Sequence, residues 1–409
     1  MSSDMGLDSK VRKGMFRIAK IVESFDTVLK MLFELGIAPN SKKTFSHYFT
    51  HGETAEMVGR SRTTVNKLIE ELRIEQDQHT PKSGYVGDKK PRTLGLRLDQ
   101  VNLIRDHLGI RPIRKEGDKV PRIAIQNFKG GTAKSTTTVH FAQYLALQGY
   151  RVLVLDGDPQ ATATAAFGYI PDQEFDQNNT MWSVIMGEKL AREVVVKTYF
   201  PGIDLIPSCL AAYETEFSLV FAIADADAKN DVERKLSYYW EIDSLLKDVE
   251  EDYDVILLDS PPALSIMSLN ILCAATGIFV PVPPAQYDFM STGQYFRMVD
   301  RMVGGIASEK EWDFIKILPT KVDRGKKRQV DFVGILRQTF GANITNAVML
   351  ATSNIPNAAA SFNTAYEMKG RERDKDVIEM LDTVFKEMEQ EVLKSMPSRA
   401  EELRKKGVI

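Results

Sequence analysis

The pattern of apolar positions changes character near residue 120. Beyond it, short and nearly unbroken apolar runs recur: Ile123-Ala124-Ile125, Val152-Leu153-Val154-Leu155, Val255-Ile256-Leu257-Leu258, Ile278-Phe279-Val280 and Ile315-Lys316-Ile317-Leu318. Runs without polar alternation predict strands buried on both faces, as in a parallel sheet. Phe141, Leu145 and Leu147 recur at helical spacing and predict a helix after the first run. Before residue 120 the pattern is helical. Phe16, Ile18, Ala19, Val22, Phe25, Val28, Leu29, Leu32 and Phe33 predict an amphipathic helix over 15–35. Leu35-Gly36 ends it and Ala38-Pro39-Asn40 is a break. Its apolar face is either core or a dimerisation surface. The predicted architecture is an α/β doubly wound, mostly parallel sheet over 120–409, behind an all-α N-terminal part. That part divides into a helix (1–40), a second module (41–110) and a linker (111–119).

Glu53 to Leu72 reads as helix, turn, helix. Ala55 is small enough for close packing, Gly59 can take a positive φ in the turn, and Ser61 is a candidate N-cap. Val65, Leu68 and Leu72 supply the inward face of the second helix. A helix-turn-helix places the first turn of that helix in the DNA major groove. Arg60, Ser61, Arg62, Thr63, Thr64, Asn66 and Lys67 are therefore candidate DNA contacts, able to reach phosphates or base edges. The turn-rich basic stretch 81–92 suggests a wing lying on phosphates, which would make the module a winged helix-turn-helix. Asp99 is expected to cap a short helix running through Leu108.

Charge sharpens this division. Residues 1–118 carry 21 Lys and Arg against 16 Asp and Glu, whereas the remainder carries 32 against 40. A basic N-terminal part on an acidic body fits a DNA-binding module joined to an enzyme. Arg324, Lys326, Lys327 and Arg328 form a basic cluster within the acidic part and are a second DNA candidate. The bland reading of either surface is a solvated basic face. The two cysteines, Cys209 and Cys273, are far apart and outside any C-x-x-C pair, so both are expected to be plain buried residues. The N-terminus has no secretory h-region, and no apolar run reaches membrane length.

The chemistry concentrates in Lys129-Gly130-Gly131-Thr132-Ala133-Lys134-Ser135-Thr136, set between a strand and a helix. Backbone N–H groups of such a turn, with the helix N-terminus, hold a polyphosphate. Lys134 would reach the β- and γ-phosphates of ATP, and the Ser135 hydroxyl would ligate Mg²⁺. The G-x-x-x-x-G-K-[ST] pattern is broken at Phe128 and Ala133, where glycines are expected. Asp156-Gly157-Asp158-Pro159-Gln160 and Asp259-Ser260-Pro261-Pro262 each follow an apolar run. Carboxylates there lie where open α/β sheets bind ligands.

What remains of the loop, K-G-G-x-x-K-[ST], resembles the deviant P-loop of the ParA/MinD/nitrogenase-iron-protein ATPases. D-x-D-P-Q, the h-h-h-h-D of the Walker B segment, and Pro281-Val282-Pro283-Pro284-Ala285 through Phe289 are similar to ParA proteins with long N-terminal domains. Among these the chain looks most like the alphaproteobacterial RepABC-type partition ATPases. The resemblance implies that Lys129 reaches across a dimer to the partner's phosphates. It also implies that Asp158 orients the attacking water, Asp156 supports the Mg²⁺ shell, and Asp259 holds Mg²⁺ through water with Ser135. Asp323, after the last strand, would lie near the base. The family further implies ATP/ADP binding, a homodimer, nonspecific nucleoid DNA and operator DNA as partners, and autorepression. A ParB-type centromere-binding protein and a cytoplasmic, nucleoid-associated location, away from the membrane, are implied too. Two other readings stand beside this one: a nucleotide-sensing repressor without turnover, and a MinD-like membrane-associated ATPase.

Overall fold

A computed structural model describes residues 17–32 (except 26 and 29), 43–77 and 94–405. The expected wing at 81–92 lies outside the described residues. Residues 17–32 are helical where described, and Ile18, Ile21, Val22, Phe25, Val28 and Met31 are each more than half exposed. This apolar face packs on nothing else described.

The second module is built from α1 (His51–Val58), α2 (Arg62–Glu71) and α3 (Leu98–His107). Thr50 and Glu53 form a capping box at the start of α1, and Ser61 caps α2 by accepting from Thr64 N (3.1 Å). Between them Gly59 takes φ 61°, a left-handed conformation that a Cβ would disfavour. Val58, Val65, Leu68, Val101 and Ile104 close the module's core. The start of α3 differs from expectation. Arg97 occupies the N-cap position, its backbone N–H bound by Gln100 Oε1 (2.9 Å), while Asp99 lies inside the first turn and pairs with Arg97 (3.1 Å). Leu98 is fully buried, which sets the helix start one residue before Asp99.

Seven strands form one sheet: β1 (Arg122–Ile125), β2 (Val152–Asp156), β3 (Val196–Lys197), β4 (Ile203–Ile206), β5 (Val255–Asp259), β6 (Gly277–Val282) and β7 (Phe314–Pro319). Their order is β3-β4-β2-β5-β1-β6-β7, parallel except where β3 meets β4. The unbroken apolar runs have a direct cause. Ile123, Ile125, Val152 and Val154 enter one core, and Ala124, Leu153 and Leu155 enter the other. Helices α4 (Lys134–Gln148), α5 (Ile266–Ala274), α6 (Gln286–Ile306), α7 (Lys327–Phe340) and α8 (Lys375–Ser395) flank the sheet. The fold is thus the doubly wound α/β one expected. Only residues 283–285 separate β6 from α6, so Tyr287 and Phe289 sit on a helix. Both cysteines are buried. Among the described residues, no helix is long and apolar enough to cross a membrane.

The N-terminal module rests on the C-terminal end of α4. Arg105, only 3% exposed, donates to Leu147 O (2.8 Å), and Arg111 donates to Gly149 O (2.8 Å). Cations at a helix C-terminus satisfy its last carbonyls and oppose its dipole. The expected linker is tied down as well: Arg114 N donates to Asp254 (2.9 Å), and Asp118 accepts from Ser398 N (3.0 Å).

Candidate functional site

Parallel pairing brings the exits of β1, β2 and β5 to one edge of the sheet. Asp156 and Asp259 are register partners there, and Ile125 is paired with Asp259 on its other side. The loop after β1 therefore folds directly over the Asp259 carboxylate.

Several groups shape that loop. Asn127, 1% exposed, donates from Nδ2 to Pro281 O (2.9 Å) and accepts from Lys129 N (3.1 Å). Phe128 packs edge-on against the buried Tyr295 ring of α6 (4.6 Å between centroids). Where the strict motif has glycine, this chain has an aromatic anchor. Lys134 Nζ donates to Lys129 O (3.0 Å), spanning the loop from helix to entry. Lys134 is buried and Lys129 half-buried; Gly130 and Gly131 are exposed. Ala133 stands at the helix N-terminus with φ 77°, ψ 29°, the conformation normally left to glycine. Ser135 and Thr136 open the first turn of α4, half-buried.

The carboxylates divide their work. Asp156 is saturated by protein donors: Thr164 N (2.8 Å) and Thr164 Oγ1 (2.7 Å) on one oxygen, Asp158 N (3.2 Å) on the other. It shapes the segment between Asp158 and Thr164. Asp158 itself accepts from Gln160 N (2.9 Å). Asp259 accepts from Thr138 Oγ1 (3.1 Å) at Oδ1, whereas Oδ2 is buried with no partner of hydrogen-bond geometry. Burial, and then the neighbouring Asp156, raise the Asp259 pKa; the hydroxyls of Ser135 and Thr138 and the Lys134 ammonium act the other way. Burial also raises Asp156 and Asp158. Lys134 is lowered by burial, against the pull of Asp259 and Asp158. These are the features of a site short of one cation: two buried acids, an orphaned carboxylate oxygen and a hydroxyl beside it. Among the described residues, no group of three or more His, Cys, Asp or Glu could hold a metal alone. A divalent ion here would need oxygens from a bound phosphate. With such oxygens, Ser135 and Asp259 fit Mg²⁺.

Asp323 is engaged in its own turn, accepting from Gly325 N (2.9 Å) and pairing with Lys326 (3.2 Å). Arg324, Lys326, Lys327 and Arg328 are all exposed beside it at the start of α7. On the N-terminal module, Arg60, Ser61, Arg62, Thr63, Asn66 and Lys67 are exposed along one side of α2, with Thr64 half-buried. Ser61 is used as a cap, and Asn66 Oδ1 accepts from His51 Nδ1–H (2.7 Å). These two basic surfaces belong to separate elements, α2 and the β7–α7 turn. The sequence reading missed Asn127, Thr138 and Thr164. Thr138 and Thr164 both lie past the ends of the motifs they serve and reach back.

Residues 120–309 match the family described as an AAA domain. Protein SopA of Escherichia coli (strain K12) is 31% identical over 319 residues, covering 77% of this chain and 79% of SopA. The chromosome partitioning protein ParA of Caulobacter vibrioides (strain NA1000 / CB15N) is 30% identical over 233 residues, covering 56% of this chain and 79% of that protein. A solved structure named Partition Protein superposes with a TM-score of 0.64 at 22% identity, covering 93% of this chain and 98% of its own.

Proposed function

The chain belongs to the ParA family of partition ATPases, and from that premise we propose that it binds and hydrolyses Mg²⁺-ATP as a homodimer to segregate DNA. The observation that carries this reading is the convergence of Lys134, Ser135, Asp158 and Asp259 beneath one loop at the carboxyl edge of the sheet. Phosphoryl transfer asks for little covalent chemistry from a protein and much positioning and charge neutralisation. Loop amides and Lys134 hold the β- and γ-phosphates. Asp158, fixed by Gln160 N, orients the attacking water. Ser135 and Asp259 would hold Mg²⁺, which would supply charge neutralisation for the phosphates. Lys129, half-buried in the loop, serves the partner's phosphates. The exposed apolar face of residues 17–32 supports dimerisation as well.

DNA is bound in two ways. The first turn of α2 reads operator sites for autorepression, and the Arg324–Arg328 cluster follows nonspecific phosphates. A ParB-type partner stimulates an intrinsically slow ATPase, and the protein sits on the nucleoid. The test is ATP hydrolysis with and without nonspecific DNA for wild type, Lys129→Ala and Asp158→Ala. Slow turnover lost in both variants is expected. Binding without any turnover, even with DNA and a ParB-type partner, would make the protein a nucleotide-sensing repressor instead.

A further inference from the structure

Two side chains at the exit of β7, outside every motif above, hold the phosphate loop. Thr320, fully buried, donates from Oγ1 to Thr132 O (3.0 Å), and Lys321 donates from Nζ to Gly131 O (2.6 Å). No described peptide bond is cis, and in a trans peptide the N–H points opposite to the C=O. Tying these two carbonyls toward β7 therefore turns the N–H groups of Thr132 and Ala133 away from β7. Those are two consecutive amides at the turn that leads into α4, where a polyphosphate is held.

The loop has a particular need of such ties. Ala133 must keep φ 77° although it carries a Cβ, and Lys321 itself stands at φ 54°. Strained conformations of this kind persist when surrounding contacts over-determine them. We propose that Thr320 and Lys321 are positioning residues for the nucleotide. They hold the Thr132 and Ala133 amides in the phosphate-binding orientation that the alanine at 133 would otherwise disfavour. This rests on the nucleotide-binding reading above. The neighbouring Lys326 is paired with Asp323, so its ammonium does not compete for these carbonyls.

The test is calorimetric titration of the full-length protein with ADP and with ATP in Mg²⁺, alongside steady-state hydrolysis. Variants are Thr320→Val, Thr320→Ser, Lys321→Met, Lys321→Arg, and Ala133→Gly placed in the Lys321→Met background. Loss of one positioning hydrogen bond is expected to weaken ADP binding about fivefold to tenfold in Thr320→Val and Lys321→Met. Thr320→Ser and Lys321→Arg keep a donor and should retain most of the affinity. Ala133→Gly should recover part of the Lys321→Met loss, because glycine takes the left-handed conformation at little cost. The defect should fall on KM more than on kcat, since the amides grip ground state and transition state alike. Lys321 is exposed, so Lys321→Met decides the matter even if Thr320→Val folds poorly. Wild-type affinity in Lys321→Met would overturn the clamp while leaving nucleotide binding intact. A wild type that binds neither nucleotide would overturn both readings.

Discussion

Asp156 and Asp259 lie in register on neighbouring strands, both wholly buried, and only Asp156 has both oxygens hydrogen-bonded. Asp259→Asn removes the like-charge repulsion between them. It is expected to leave the thermal midpoint of the free protein unchanged or higher, while losing the stabilisation that Mg²⁺-ATP confers. Thr164→Val removes a hydroxyl donor to a buried carboxylate and should cost about 2 kcal/mol. Thermal unfolding with and without Mg²⁺-ATP separates the two. A destabilised free Asp259→Asn protein would contradict this account.

His140 supplies a pH dependence. Its Nδ1–H donates to Thr136 O (2.8 Å) and its Nε2 accepts from Ala365 N (3.2 Å), so the neutral ring is the one that fits. Burial lowers its pKa below 6.5, against the weaker pull of Glu367. The unfolded chain then binds more protons than the folded one below that value. Stability should fall as pH drops from 6.5 toward the folded pKa, by at most about 1.4 kcal/mol per pH unit from this site. Urea unfolding across that range should show a shallower slope for His140→Gln than for wild type.

Arg105 is buried at the junction of the modules and donates to Asn102 Oδ1 (2.8 Å) as well as to Leu147 O. Arg105→Leu keeps much of the packing but leaves a helix-end carbonyl and an amide without a donor. A loss of about 2–3 kcal/mol is expected. Limited proteolysis should then open the chain within 108–120 faster than in wild type. An unchanged cleavage pattern would mean that Arg111, the tied linker and the apolar contacts hold the modules without Arg105.

The two basic surfaces should separate by salt. Alanine at Arg324, Lys326, Lys327 and Arg328 together is expected to reduce the slope of log affinity against log salt for nonspecific DNA by about two to three. That is less than four full charges, because Lys326 is already paired with Asp323. Arg62→Ala and Lys67→Ala should instead weaken operator binding. Filter-binding titrations at several salt concentrations test both, and an unchanged slope in the quadruple variant would remove the cluster from the DNA surface.

Five of the seven strands were legible because burial on two faces writes them in nearly unbroken apolar letters, as at Val152–Leu155 and Val255–Leu258; β3 and β4 are short and carry Lys197 and Asp204, so no apolar run announced them. The loop and its acids were legible from their place after apolar runs together with the resemblance to the ParA family. The supports were not. Thr320 lies 188 residues from the carbonyl it holds, and Tyr295 packs on Phe128 across a gap of the same order. Nothing local distinguishes such residues from ordinary core or turn positions. Asp99 was misassigned for a related reason: an acid near a helix start is a strong local signal, but burial of Leu98 decided where the helix begins.

Gly149 closes α4 at φ 107°, and a Cβ built there would stand 3.1 Å from Arg105 Nη1 and 3.2 Å from Pro112 Cδ. The joint between the two modules is thus keyed rather than merely adjacent. A chimera that grafts a foreign N-terminal module ahead of this α/β body would have to bring an arginine of its own to that notch. Conversely, a side chain at 149 would be strained at this φ and would press on Arg105 and Pro112, loosening the joint. Exchange of N-terminal modules at this seam is therefore least costly among chains that share both halves of the key.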